Sequence, residues 1–174
     1  MIKENPETKL INIYSDGACS GNPGRGGYGV VIMNKGQLRE LSQGYRLTTN
    51  NRMELMGVIA GLRAIPDGSM VRMHSDSKYI VDAIKNGWLD IWRAKKWRKT
   101  GKGKLLNPDL WQELDELLHR HQVRWVWVKG HAGHPENERC DWLAVQAYSK
   151  ADLLVDRVYE ETQRENEIQP GLFG

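Results

Sequence analysis

The sequence predicts an α/β fold: a five-stranded mixed sheet whose first three strands are antiparallel, with helices on both faces. Three observations predict it. The chain opens with short apolar runs joined by turn residues. Further apolar runs then alternate with stretches of helical period. The length of 174 residues suits one domain with a full core.

The elements follow in order. Leu10–Asp16 alternates apolar and polar residues and reads as a strand. Gly21–Gly29 is rich in glycine. Tyr28–Met33 and Gln37–Leu47 read as two more strands, joined by the turn residues Asn34, Lys35 and Gly36. Asn51–Ala64 has helical period, with Leu55, Ile59 and Leu62 on one face beside Met56, and Thr49 and Asn50 as caps. Pro66, Asp67 and Gly68 break the chain. Met70–Asp76 is a fourth strand and Ser77–Asn86 a short helix. No period is visible over residues 87–106. Asn107 then serves as N-cap, and Pro108 as first residue, of a helix with Leu110, Leu114, Leu117 and Leu118 on its apolar face. Gln122–Val128 is a fifth strand, and a last helix starts at Pro135. Three hairpin-linked strands followed by alternating helices and strands imply a mixed sheet with an antiparallel edge.

Composition narrows the function classes. Forty per cent hydrophobic and 27 per cent charged residues place the chain among globular proteins rather than disordered ones. No apolar run approaches the roughly 20 residues that span a bilayer. The opening Met-Ile-Lys-Glu-Asn-Pro lacks the apolar core of a secretion signal, so a cytoplasmic location, no membrane partner and reduced thiols at Cys19 and Cys140 are expected. The net charge of +3 hides an asymmetry, since residues 152–174 carry −4 and residues 1–151 carry +7. The division expected is therefore a catalytic domain over 1–151 and an acidic C-terminal extension over 152–174, partly helical or disordered. The basic body points to a polyanionic partner.

Four acidic residues carry the chemistry. They are Asp16 in Y-S-D-G-A-C-S-G-N-P-G, Glu54 in T-T-N-N-R-M-E-L-M, Asp76 in H-S-D-S-K-Y and Asp141 in K-G-H-A-G-H-P-E-N-E-R-C-D. Two stand at strand ends and two near helix starts. Carboxylates gathered from such places surround hard cations, which take oxygen ligands. A pair of such ions serves phosphodiester displacement. Between Asp90 and Asp109 there is no acidic residue, whereas Arg93, Lys95, Lys96, Arg98 and Lys99 lie there with Trp88, Trp92 and Trp97 beside them. Cations neutralise phosphates and tryptophan faces stack on sugars or bases. A solvated basic face over partly inward-packed tryptophans is the other reading of the same stretch.

Two motifs are set aside. Residues 24–29 match G-x-G-x-x-G, but a strand follows where the nucleotide fingerprint needs a helix. These glycines are expected to serve a tight turn and a close approach of the backbone to substrate. His131, His134 and Cys140 match no common zinc spacing and lack a fourth ligand.

From about Leu10 to about Ala151 the four acidic segments, in this order and spacing, resemble those of the bacterial type 1 ribonucleases H. The resemblance implies a ribonuclease H-like fold. It implies a metal-dependent endonuclease that cuts the RNA strand of RNA–DNA hybrids to 3′-hydroxyl and 5′-phosphate ends, removing RNA primers and R-loops as a monomer. Two Mg2+ ions are implied with substrate, Mn2+ being a substitute. Asp16 would touch both ions, Glu54 and Asp76 the one nearer the leaving oxygen, and Asp141 the one on the side of the attacking water. His131 resembles the histidine that assists proton transfer or product release. RNA-strand contacts fall on Cys19, Asn22, Asn50, Asn51 and Lys78, where the 2′-hydroxyl marks RNA. DNA-strand and phosphate contacts fall on Thr49 and Asn107, on Trp88, Trp92, Trp97 and Trp111, and on Arg93, Lys95, Lys96, Arg98 and Lys99. The chain departs from the pattern at Leu47, where relatives often carry a basic residue (Arg46 is adjacent), at Lys78 in place of a glutamine, and by one inserted residue near Gly87. Two alternatives share the fold: a DNA strand-transfer enzyme, which the asparagines and compact length oppose, and a binding module without catalysis, which the four carboxylates oppose.

Overall fold

The structure is a computed structural model and describes residues 10–98, 104–129 and 133–168. The elements are β1 (Leu10–Gly21), β2 (Gly24–Asn34), β3 (Gln37–Thr48), α1 (Asn50–Arg63), β4 (Met70–Ser75), α2 (Lys78–Lys85), α3 (Trp88–Ala94), α4 (Pro108–Arg120), β5 (Gln122–Trp127), α5 (Pro135–Ser149) and α6 (Arg157–Ile168). They form a five-stranded sheet in the order β3-β2-β1-β4-β5. β1, β2 and β3 are antiparallel, while β4 runs parallel to both β1 and β5. The expected mixed sheet is present.

Strand alternation sorts the core to two faces. Ile11, Ile13, Val30, Ile32, Val71 and Met73 meet Leu55, Val58 and Leu62 of α1 and Leu110, Trp111 and Leu114 of α4. On the opposite face Val31 packs with Cys140 and Leu143 of α5. Cys19 and Cys140 are both free thiols.

Two expectations about local structure need correcting. Residues 87–106 contain a helix, α3, that begins after Gly87 in the left-handed region at φ 65°. At seven residues it is too short to show a period. It is held by its buried Leu89 and by Arg93, which donates to Asp115 of α4 at 2.8 and 2.6 Å. The glycines of residues 24–29 stand inside β2, not in a substrate loop. A Cβ on Gly29 would collide with the Cys140 carbonyl of α5, so glycine there admits a helix, not a ligand.

The segment after α5 returns to the sheet. Arg46 N–H donates to the Leu154 carbonyl at 2.9 Å and Leu154 N–H to the Gly44 carbonyl at 3.0 Å, forming a short bridge beside Tyr45 on the outer side of β3. Asp156 follows, 3% exposed, and accepts from Arg52 Nε at 2.7 Å, Arg52 Nη2 at 2.9 Å and Thr48 Oγ1 at 2.8 Å. Arg52 is itself 2% exposed and donates further to Asp109 at 3.0 and 2.8 Å. On α6, Glu160 takes a two-pronged contact from Arg46 at 2.8 and 2.6 Å. Buried guanidinium and carboxylate groups are tolerable only when paired in this way.

Removing Asp156 strands part of a buried cation. Asp156→Ala should cost about 3 kcal/mol, the low end for breaking a buried pair because Asp109 remains. That corresponds to a fall in Tm of roughly 6–12 °C for a chain of this size. Truncation after Ala151 should destabilise at least as much, and truncation after Glu161, which keeps Asp156 and Glu160, far less. Thermal melts of the three variants check this, and melting at the full-length temperature after truncation at Ala151 would contradict it.

Candidate active site

The parallel pairing of β1 with β4 sets the centre of the site. The last paired residues are Tyr14 and His74, and two positions further along lie Asp16 and Asp76. β1 continues to Gly21, so Asp16 is inside a strand rather than at its end, while Asp76 stands just past β4. Two glycines let helices close on Asp16. Gly17 faces α1: a Cβ there would lie 2.5 Å from the Glu54 amide nitrogen. Gly29, the cross-strand partner of Asp16, admits α5. Glu54 and Asp141 arrive on those two helices.

Oxygens of Asp16, Glu54 and Asp76 lie within 4.8 Å of one another. Asp141 joins them in lining a cleft of about 470 Å³, together with Asn50, Asn51, Lys78 and Tyr79. The carboxylates disturb one another. Burial first, then Asp76 and Asp141, push the Asp16 carboxyl up to about 7, against a hydrogen bond from the Gly17 amide at 2.8 Å. Burial, then Asp16 and Asp76, hold Glu54 well above the usual carboxylate range. Desolvation and like charge both favour the neutral acid.

The donor set fits a hard divalent cation. It is all oxygen. Glu54 Oε2 is buried with no hydrogen-bond partner among the described residues, a position that a cation would satisfy. The thiols do not fit: burial raises Cys19 to about 11 and raises Cys140 further. The acidic cluster is thus able to hold metal.

The residues expected on the RNA side meet at the same cleft. Asn50 and Asn51 line it at the start of α1. The exposed Asn22 accepts from the Asn50 amide at 3.1 Å, which ties the β1–β2 turn to α1. Cys19 is half-buried near Glu54. Lys78 is exposed and pairs with Asp82 at 2.7 Å. His131 lies outside the described residues, as does Lys99.

On the other side the geometry changes several roles. Thr49 caps α1 by accepting from the Arg52 amide at 3.4 Å. Asn107 occupies the N-cap position of α4, but in the left-handed region at φ 55° and with no capping bond. Its side chain instead accepts from Arg52 Nη1 at 3.3 Å and donates to the Tyr79 hydroxyl at 3.2 Å. Trp111 is fully buried, so it cannot itself form a wall of a channel. Its indole donates to the Tyr79 hydroxyl at 3.1 Å and packs on Trp92 at 5.2 Å between centroids. Trp88, 40% exposed, offers an open face, and Tyr79, Trp88 and Trp92 line a shallow cleft of about 190 Å³ with Leu105 and Leu106. Arg93 is engaged by Asp115 and by Asp90 at 3.0 Å, so it is not free for phosphate. Lys95, Lys96 and Arg98 are exposed, and Trp97 is partly buried. Arg46 turns to Glu160 and does not stand in for the basic residue absent at Leu47, because adjacent strand residues point to opposite faces.

One residue escaped the sequence reading. Asn137, 4% exposed, donates from Nδ2 to Asp76 Oδ2 at 3.2 Å. The available signal was its position four residues before Asp141, on the same face of α5.

Comparison with known proteins agrees with this arrangement. The RNase H family profile matches residues 8–149. The chain is 56% identical over 150 residues to a ribonuclease H of Trichodesmium erythraeum, covering 86% of this chain and 96% of that protein. It is 54% identical over 153 residues to a ribonuclease H of Desulforamulus reducens, covering 88% and 96%. Among solved structures it is similar to LC9-RNase H1, a type 1 RNase H with the type 2 active-site motif, at 38% identity and a TM-score of 0.72, over 88% of this chain and 80% of that one. It is also similar to LC11-RNase H1, solved in complex with an RNA/DNA hybrid, at 25% identity and a TM-score of 0.61, over 81% and 98%. By site geometry, sequence and fold together, the chain belongs to the ribonuclease H family.

Proposed function

We infer that this protein is a divalent-metal-dependent endonuclease that hydrolyses the RNA strand of RNA–DNA hybrids, leaving 3′-hydroxyl and 5′-phosphate ends, and so removes RNA primers and R-loops. The observation that carries the inference is the convergence of four carboxylates on one cleft flanked by asparagines on one side and an aromatic, basic surface on the other. Membership of the family and the hybrid complex of LC11-RNase H1 support it. Asp16, Glu54, Asp76 and Asp141 would hold two Mg2+ ions, with Mn2+ as a substitute. Bound there, such ions activate water and offset charge on the phosphate undergoing displacement.

The chain's own residues supply the rest. Asn50 and Asn51 present amides that both donate to and accept from a 2′-hydroxyl, and Asn22 fixes their turn. The backbone at Cys19 and the Lys78 ammonium extend that RNA side. Thr49 and Asn107 offer uncharged donors to a DNA phosphate beside Arg52. Trp88 and Trp92 give sugar and base faces, while Lys95, Lys96, Arg98 and Lys99 neutralise further phosphates. His131 would relay a proton or help release product. Residues 1–151 carry these groups, and the 152–174 extension supports them through Asp156 and Glu160. No described helix is long and apolar enough to cross a membrane, and we place the protein in the cytoplasm as a monomer.

Incubation with Mg2+ and labelled hybrid, duplex DNA or duplex RNA tests the reading. Cleavage of the hybrid's RNA strand alone is expected; strand joining in DNA, or binding without cutting, would select one of the alternatives. Asp16→Asn should cut turnover by about a hundredfold or more, since it removes charge stabilisation worth several kcal/mol. Its effect on stability has a definite sign. The folded Asp16 keeps its proton up to about 7, whereas the ordinary value is 3.8, so without metal its contribution to stability is lost as pH rises from about 4 to 7. In EDTA at pH 8 the variant should melt at or above the wild-type temperature, and the difference should close toward pH 4.

Replacing Lys95, Lys96, Arg98 and Lys99 by neutral residues should raise KM for long hybrids far more than it lowers kcat, because these contacts bind ground and transition states alike. The salt slope of binding should fall by about 0.9 per lost phosphate contact. An unchanged KM and salt slope would reduce the run to a solvated face.

A further inference from the structure

Asn137 is the third residue of α5, in a turn where a polar side chain ordinarily serves the helix end. It does not do so. Its amide is 4% exposed and points into the carboxylate site, where Nδ2 reaches Asp76 Oδ2 at 3.2 Å. Its Oδ1 is buried and has no hydrogen-bond partner among the described residues. A buried amide left half-paired is unfavourable, so its one bond has a use other than packing. Asp141 follows four residues later on the same helix face and lines the same cleft. One face of α5 therefore presents a carboxylate and an amide side by side.

The geometry points to Asn137 as a positioning residue for Asp76. Asp76 lies just beyond β4 and lacks the strand pairing that steadies Asp16. The Asn137 amide supplies a fixed donor to one carboxylate oxygen and turns the other toward the cleft. An amide does this without adding a negative charge to carboxylates that already repel. A lysine would cancel charge that a cation must balance, and an aspartate would add to the repulsion. Groups that orient a metal ligand typically change metal affinity or activity by about 10- to 100-fold when removed. The inference rests on the ribonuclease reading given above.

The test is a calorimetric titration of the full chain with Mg2+ alone, beside steady-state cleavage of a hybrid at several Mg2+ concentrations. Asn137→Ala should weaken Mg2+ binding by about tenfold and lower kcat at limiting Mg2+ by a similar factor. KM for the hybrid should stay unchanged, and saturating Mg2+ should restore part of the lost rate. An amide that only holds α5 in place would lower Tm in EDTA and leave the Mg2+ affinity within twofold of wild type, and that result overturns the inference. Should Asn137→Ala not fold, the wild-type chain still decides. The Asn137 side-chain amide resonance should shift with Mg2+ along a curve whose midpoint matches the calorimetric one; an unmoved resonance refutes the role. If the wild type neither binds Mg2+ nor cuts hybrid, the ribonuclease reading fails. If it does both and Asn137→Ala matches it, only the inference about Asn137 fails.

Discussion

Three carboxylates held within 4.8 Å of one another repel, and the repulsion grows as Asp16 and Glu54 lose water. Such a cluster cannot sit on a loose scaffold, because any soft element would swing its charge away. The chain meets this by mounting each acid on or beside an element anchored in the sheet. Asp16 lies in the central strand, and Asp76 lies at the end of the parallel strand next to it. Glu54 and Asp141 come on helices pressed against β1 and β2 at Gly17 and Gly29. The rigidity of the core thus holds like charges together, and a divalent cation would relieve the repulsion.

The same logic reaches α1 from its outer side. Arg52 stands between Asn51 and Glu54 in sequence, and its guanidinium is buried among Asp109, Asp156 and Asn107. Two segments distant in sequence, the start of α4 with Asn107 just ahead of it and the stretch before α6, therefore converge on the helical turn that carries Asn50, Asn51 and one of the acids. The left-handed Asn107 fits this picture. It gives up a helix cap to bond Arg52 and Tyr79, and backbone conformations of that kind persist only where surroundings fix them.

Much of this was legible in the sequence because it is local. Alternation marked β1, helical period marked α1 and α4, and the acids stood in segments whose order identifies the family. What was not legible depends on partners distant in sequence. Nothing near Trp111 announces that α2 and α3 will cover it, and an aromatic residue reads equally well as wall or core. Arg93 looked like a phosphate ligand in a basic run until α4 supplied Asp115. The glycines of β2 were ambiguous between turn and close contact, and distant partners resolve them: α5 at Gly27 and Gly29, and Thr48 with Met53 of α1 at Gly26. Asn137 was in plain view within the fourth acidic segment, but its bond to Asp76 joins residues 61 positions apart.

The bridge from Thr48 to Asp156 joins residues 108 positions apart. That separation has a consequence for how the protein comes into being. While the chain is being synthesised, β1 to β3 and α1 emerge early and have local partners with which to begin folding. Arg52 emerges with them, yet its innermost counter-ion is among the later residues made. Until then α1 carries a cation on a surface that the finished molecule buries, and the outer side of β3 stays open to other strands. The native arrangement around α1 is therefore a late event in the life of the nascent chain, completed when Leu154 and Asp156 reach the sheet.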